Sequence, residues 1–342
     1  MAKRKPKALK TTGAPENVEN LLALFSTIPD PRIDRTKAYP LVEILFLVLA
    51  ATVSGVNHMT RIQEFGKVNL DWLRKILPYG NGAPSHDTIG RVMGRLDPDA
   101  LQAMFVRWME SAARIDGVIA VDGKTLRGAI KRGTERSFVH MVSAFSAANG
   151  LVYGQVKACE KSNEITAIPR LLDLLRLKGA IVTIDAAGCQ VKITDKIIER
   201  GGDFLIAVKG NRGTLHEDLS IAFHDMDVRG GQSFASVAET EELSYGRGEW
   251  RKCEIISTAG IISHEEKWKH VRSEVRITTE RRLDKTTTPE KHTRYYISSV
   301  SEPEATDALQ WTREHWGVES VPQAHRESQG EERNHEVMTL CA

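Results

Sequence analysis

The chain has 342 residues, room for about two domains at about 150 residues each and for a substantial core. Apolar residues make up 41% and charged residues 27%, which excludes collagen-like, disordered and membrane-spanning classes. Forty-seven Lys and Arg against 45 Asp and Glu leave a net charge of +2, so any nucleic-acid signal must lie in how charge is distributed. Four scattered cysteines, Cys159, Cys189, Cys253 and Cys341, have neither zinc-site spacing nor the density of a disulfide scaffold, which points to a reducing cytosol.

Residues 1–16 read as a basic flexible tail, with Lys3, Arg4, Lys5, Lys7 and Lys10 and no acid in the first ten positions. No apolar signal-peptide core follows directly. A solvated tail and a phosphate-contacting arm both fit.

Residues 17–115 read as a helical domain. Leu21, Leu22, Leu24 and Phe25 open an amphipathic segment, Asp30-Pro31 breaks it, and the run Leu41–Val56 is too short to span a bilayer and forms a buried helix despite Glu43. Ile62, Phe65, Leu70, Leu73 and Ile76 recur at helical spacing before the turn Pro78-Tyr79-Gly80-Asn81-Gly82. Ser85 is an N-cap for a short helix through Val92, and Asp97-Pro98-Asp99 starts another that ends near Ile115. Arg91 and Arg95 beside a turn suit either ordinary helical packing or a helix-turn-helix-like DNA reader.

From Gly117 the texture changes. Val118–Val121 is a strand ended by Asp122-Gly123, and runs at Phe138–Phe145 and Leu151–Ala158 form a hairpin. A helix fits Glu164–Leu177, then a strand at Ala180–Ile184, a helix at Val191–Ile198 and a strand at Phe204–Val208. The order β-β-β-α-β-α-β predicts a mixed sheet flanked by helices, an α+β domain over residues 116–320. It is interrupted at about 212–300 by a β-rich basic insertion containing Arg251, Lys252, Arg276, Arg281, Lys291 and Arg294. There a solvated strand face and a face laid along DNA phosphates stand equal. Ser301-Glu302-Pro303-Glu304 has the capping-box form and should start a helix that runs through Trp311 and Trp316 to Glu319.

Phosphodiester chemistry at two metal ions needs converging carboxylates, because oxygen ligands bind magnesium and paired cations act on the attacking and leaving oxygens. Asp122 and Asp185 end apolar strands, and Glu319 on the late helix is the best third ligand. Their order of strand, strand and helix, with spacings of 63 and 134 residues, matches a ribonuclease-H-like nucleotidyl-transfer site.

These residues also carry a family likeness. Ile119–Gly128 (IAVDGKTLRG), Lys161–Ile165 (KSNEI), Thr183–Gln190 (TIDAAGCQ) and Val208–Asn211 (VKGN) resemble bacterial insertion-sequence transposases of the H repeat-associated group, DDE transposases with a β-insertion. Asp30-Pro31-Arg32 and Pro84–Thr88 resemble that group's amino-terminal associated domain, and Arg294–Ser299 the return from its insertion. The resemblance implies a ribonuclease-H-like fold and an enzyme that cuts element ends and transfers their 3′-hydroxyls. Its metal ligands would be Asp122, Asp185 and Glu319, holding two Mg2+ or Mn2+ ions. Lys124, Arg127, Lys209, Asn211, Arg313 and His315 would contact double-stranded DNA, on which the chain would assemble as a homodimer, in the nucleoid and with no membrane partner. His315 and Glu319, four apart, would face the DNA while Trp316 packs inward.

After Glu319 the chain departs from the group's pattern. Pro322 should end the helix within one turn, at a cost of about 3 kcal/mol inside a helix. From Glu302 onward there are nine acids and three basic residues, so residues 321–342 read as a divergent polar tail that repels DNA phosphate. A shortened or frameshifted element copy accounts for this tail. Two other functions therefore stand beside transposition: a relic that only binds DNA, and a nuclease without strand transfer. Rival motifs fail. Gly117–Thr125 has five residues between its glycines where a phosphate loop needs four, and Trp268 stands where a zinc HExxH motif needs histidine. Cys189 reads as a small buried thiol.

Overall fold

The computed structural model describes residues 16–33, 37–112, 117–126, 139–146, 148–158, 164–230, 234–244, 247–257, 260–282 and 290–327. They divide into a helical unit and a sheet unit. The tail before residue 16, Arg127 and residues 328–342 lie outside the described residues.

The helical unit holds α1 (Glu16–Phe25), α2 (Leu41–Val53), α3 (Met59–Val68), α4 (Leu70–Leu73), α5 (His86–Met93) and α6 (Pro98–Ala112). Apolar on nearly every side, α2 buries Ile44, Leu45 and Leu47 at the centre of a core shared with Leu22, Ile62, Leu73, Ile89 and Val92. Its one ionisable residue, Glu43, has a single side-chain oxygen bonded, the other having no partner among the described residues, and burial holds its carboxyl above the usual range. Its carboxylate accepts the Tyr79 N–H at 2.9 Å, and the Tyr79 hydroxyl donates to the Glu43 carbonyl at 2.7 Å. Close approach of α3 to α2 requires Gly66, where a Cβ would stand 3.0 Å from Leu47 and Ala83. Ser85 caps α5, its hydroxyl accepting the Thr88 N–H at 3.3 Å, while Arg91 and Arg95 are exposed.

The sheet unit runs β1 (Gly117–Leu126), β2 (Val139–Ser146), β3 (Leu151–Ala158), α7 (Glu164–Leu174), β4 (Ala180–Ile184), α8 (Val191–Glu199), β5 (Asp203–Val208), α9 (Gly213–Val228), β6 (Ser236–Ser244), β7 (Arg247–Ile256), β8 (Ser273–Arg282), β9 (Glu290–Ser298) and α10 (Ala305–Glu327). Its strands form one nine-stranded mixed sheet in the order β3-β2-β1-β4-β5-β9-β8-β7-β6. The pairs β1–β4 and β4–β5 are parallel, and all other neighbours are antiparallel. Parallel pairing follows from the helical crossovers α7 and α8, whereas short turns make the hairpins.

Four expectations are corrected. Asp122-Gly123 does not end β1: the parallel ladder with β4 stops at Val121 opposite Ile184, but β2 goes on pairing with β1 as far as Leu126. A strand needs only one partner to continue, so Asp122 lies just past the parallel ladder. The insertion, read as a β-rich basic subdomain, joins the sheet of this unit rather than standing apart. It opens with α9, and β9 then pairs with β5, so its four strands extend the same sheet. Helix α10 starts at Ala305 rather than at a Ser301 capping box, and its cap is supplied from β6. The Ser236 hydroxyl accepts the Ala305 N–H at 3.0 Å and donates to Glu304 at 3.1 Å. Finally, α10 passes through Pro322 to Glu327, as α7 passes through Pro169. Proline removes one hydrogen bond, but its fixed φ is compatible with a helix, so the chain need not stop there.

Ser236→Ala is expected to destabilise the docking of α10 by about 1 kcal/mol through loss of the cap. Faster hydrogen exchange in the first turn of α10, with β4 unchanged, would be the signature.

Many of the insertion's basic residues meet acids across the ladder, along their own strand or on α9. Arg276 bonds Glu254 at 2.7 Å and both Asp227 oxygens at 2.7 Å, with its guanidinium 5.0 Å from the Phe223 ring centre. Lys252 pairs with Glu254, Arg251 and Arg281 with Glu249, and Lys291 with Glu280. The Arg276 pairs tie α9 to the sheet, and Arg276–Glu254, Arg281–Glu249 and Lys291–Glu280 tie neighbouring strands to one another. None of the described helices is long and apolar enough to cross a membrane.

Candidate functional site

Asp122 and Asp185 each follow the last residue of the parallel β1–β4 ladder. Equivalent positions on parallel neighbours project to the same face, and the carboxyl ends of such strands are where open α/β sheets hold ligands. Asp185 is fixed as the N-cap of the 3-10 turn Ala186–Gly188, one oxygen accepting the Ala187 N–H at 3.1 Å. That turn is braced from β5's end, where the Asn211 amide donates to the Ala186 carbonyl at 2.8 Å and Arg212 donates to the Cys189 carbonyl at 2.7 Å. Cys189 is wholly buried, and burial pushes its thiol up to about 12, so it is not a nucleophile.

Helix α10 covers this face. Ala305, Ala308 and Leu309 pack with Cys253, Val275 and Tyr296 of the extended sheet, and the helix then reaches β4 and β1. On the way, His315 Nδ1 meets the Thr183 hydroxyl at 3.0 Å, two residues before Asp185. His315 therefore turns toward the sheet, and Trp316 is the more exposed of the pair at 42%, with the Arg294 guanidinium 5.0 Å from its ring centre. Trp316 does not pack inward as expected, because the small hollow beside Asp185 admits an imidazole while the indole stacks on a cation at the rim. The hollow, about 60 Å3, is walled by Thr183, Asp185, Lys209, Arg294, His315 and Trp316.

Glu319 lies one turn beyond His315 on α10, but its side chain, like that of Lys124, is outside the described residues. Lys209 is exposed at the end of β5, and Arg313 pairs with Glu242 of β6. Of the expected DNA contacts, then, Asn211, Arg313 and His315 have partners inside the protein.

Glu164, the first residue of α7, was overlooked as a candidate. Burial, then the charges of Asp185 and Asp122, hold its carboxyl above the usual carboxylate range, with His140 acting in opposition. Its likeness to an ordinary acid at a helix start concealed it. An all-oxygen donor set with mutually repelling charges fits a hard divalent cation. Among the described residues, no three His, Cys, Asp or Glu side chains converge closely enough as they stand to hold an ion.

Comparisons with known proteins give the family. Residues 114–335 match the family described as the transposase DDE domain, and residues 22–109 match the domain described as DDE_Tnp_1-associated. YncI of Escherichia coli O157:H7, assigned by name to the transposases, is 40% identical over 89% of this chain and 78% of its own length. YhhI of E. coli K12, named as H repeat-associated, is 37% identical over 89% of this chain and 81% of its own. YbfD of the same strain, also named as H repeat-associated, is 39% identical over 68% of this chain and 92% of its own.

Proposed function

We propose that this chain, which belongs to the DDE transposases and to their H repeat-associated group, cuts DNA at the ends of a mobile element and transfers the freed 3′-hydroxyl to target DNA. What supports this reading is the placement of Asp122 and Asp185 at equivalent positions past one parallel ladder, on the face that α10 crosses on its way to Glu319. On this reading the sheet's core, β1 to β5 with α7 and α8, is ribonuclease-H-like.

Asp122, Asp185 and Glu319 would hold two Mg2+ or Mn2+ ions, which when bound supply an activated water and neutralise the leaving oxygen. The protein's own part is placement. The 3-10 turn and Asn211 keep Asp185 from swinging away, and the Thr183–His315 bond sets the axial position of α10, and with it the turn that carries Glu319. Lys209, with Lys124 and Arg127 on or just after β1, would meet DNA phosphates around the carboxylates. Arg313 would join them by exchanging Glu242 for a phosphate, and His315 at the wall of the hollow would touch the strand entering it.

The test is product analysis with purified protein, Mg2+ or Mn2+, and DNA carrying the sequences that flank the gene. Joined molecules are expected. Cut but never joined DNA would reduce the activity to that of a nuclease, and end-specific binding without cleavage would mark a binding relic. Either result overturns the proposal. The continuation of α10 past Pro322 favours the active reading over the relic, since the helix is not cut short beside Glu319.

A further inference from the structure

The reading above leaves one acidic side chain of this region without a task. Glu164 begins α7, a helix that packs on β2, β3 and the 3-10 turn capped by Asp185. Its carboxyl group lies against the backbone of Gly123, the residue next to Asp122. A Cβ on Gly123 would stand 2.0 Å from Glu164 Oε1 and 2.2 Å from its Cδ. Any side chain at 123 would occupy the space this carboxylate fills, so a strand residue with no side chain is what admits it. Gly123 has no positive φ that would call for glycine on backbone grounds. The requirement comes from the neighbour.

Successive residues of a strand project to opposite faces. Asp122 thus points to the face crossed by α10, and Glu164 comes to β1 from the other side, at the level where β4 has already ended. Past the end of β4 the strand β1 still runs on beside β2, but at Gly123 it has no side chain to keep the carboxyl off its backbone, and the charges of Asp122 and Asp185 act on Glu164 there. In that place an acid raises the repulsion among carboxylates and contributes nothing to packing that a neutral side chain would not. His140 acts against that repulsion, and a bound cation would relieve it further.

We propose that Glu164 is a further acidic residue of the reaction centre, bringing a fourth carboxylate to the divalent ion at Asp122 and Asp185 through the gap at Gly123. The proposal rests on the metal-dependent reading above, and its test separates the two.

Mn2+ binding by the full-length chain, without DNA, is followed by electron paramagnetic resonance for the wild type, Glu164→Gln, Gly123→Ala, the double variant and Asp122→Asn. Glu164→Gln is expected to weaken Mn2+ binding and slow cleavage by about 10- to 100-fold. Gly123→Ala should act in the same direction by displacing the carboxylate, and the double variant should be no worse than Glu164→Gln alone. Without metal, Glu164→Gln should melt no lower than the wild type, because it relieves repulsion, whereas loss of a purely structural contact would lower the melting point. Wild-type Mn2+ affinity in Glu164→Gln, with affinity lost in Asp122→Asn, would overturn the role of Glu164 alone. Wild-type affinity in both would overturn the metal site itself. Should Glu164→Gln fail to fold, Gly123→Ala carries the test, and unchanged Mn2+ affinity in that variant would refute the proposal.

Discussion

Asp185→Asn is expected to lower end cleavage by at least about 10³-fold, the effect of removing about 4 kcal/mol of transition-state stabilisation, while the sheet unit stays folded. The choice of asparagine matters. On the reading proposed above, Asp185 has two tasks, a structural one through the oxygen that accepts the Ala187 N–H and a chemical one through its charge. Asparagine keeps an oxygen able to cap the 3-10 turn but cannot act as an anionic ligand, so the substitution separates the two. Alanine would remove both and confuse them, since loss of a cap alone costs about 1 kcal/mol. Cleavage of end-labelled DNA in Mg2+, beside a circular dichroism melt, is the measurement. Cutting at the wild-type rate by a folded Asp185→Asn protein would remove Asp185 from the site.

The second large effect concerns stability and lies away from the site. Glu274 on β8 is 5% exposed and stands between Ile256 on β7 and Ile297 on β9, both wholly buried. One of its oxygens has no hydrogen-bond partner among the described residues. Burial pushes its carboxyl from 4.5 up to about 8. The folded chain therefore holds this proton more tightly than the unfolded chain, and the sign follows. Stability from this group is full below pH 4.5 and is lost as pH rises through about 8. Glu274→Gln, of nearly the same shape and neutral throughout, should match the wild type near pH 4. Near pH 8.5 it should exceed it by a few kcal/mol, on the order expected for such a difference in proton affinity. Hydrogen exchange of the β7, β8 and β9 amides across this range reports the effect locally, and parallel pH profiles for the two proteins would refute it.

Much of the sheet unit was legible because its central strands are short apolar runs with clear boundaries. Ala180–Ile184 and Leu151–Ala158 have the bounds read from sequence, and Phe204–Val208 differs by one residue. Ala180–Ile184 and Phe204–Val208 are buried on both faces, and burial is written directly into composition, while Leu151–Ala158, at the sheet edge, shows as an apolar run between turns. Less visible was α9, although Leu215, Leu219 and Phe223 recur every four residues on its buried side. Its acids and histidines mask that stripe. The ion pairs of the insertion could not be read at all, because whether Arg276 meets Glu254 or a phosphate depends on strand register, which no single segment encodes.

At the site, Asp122 and Asp185 stood out because a charge follows an apolar run. Glu164 did not, since nothing local distinguishes it from an ordinary helix-start acid; only the sheet brings it to Gly123. The inward turn of His315 was hidden for the same reason, its partner Thr183 being 132 residues away in sequence.

That long separation also orders events during synthesis. Helix α10 rests on strands laid down before the insertion, and its first turn is capped from the insertion's own outer strand. Contacts between such distant segments form late, because the loop between them must close before they repay its entropy. A nascent chain can pair β1, β2 and β3 early, yet the wall of the hollow beside Asp185 remains open until the insertion and α10 have left the ribosome. On the proposed function, DNA cleavage would thus be withheld until α10 has been made.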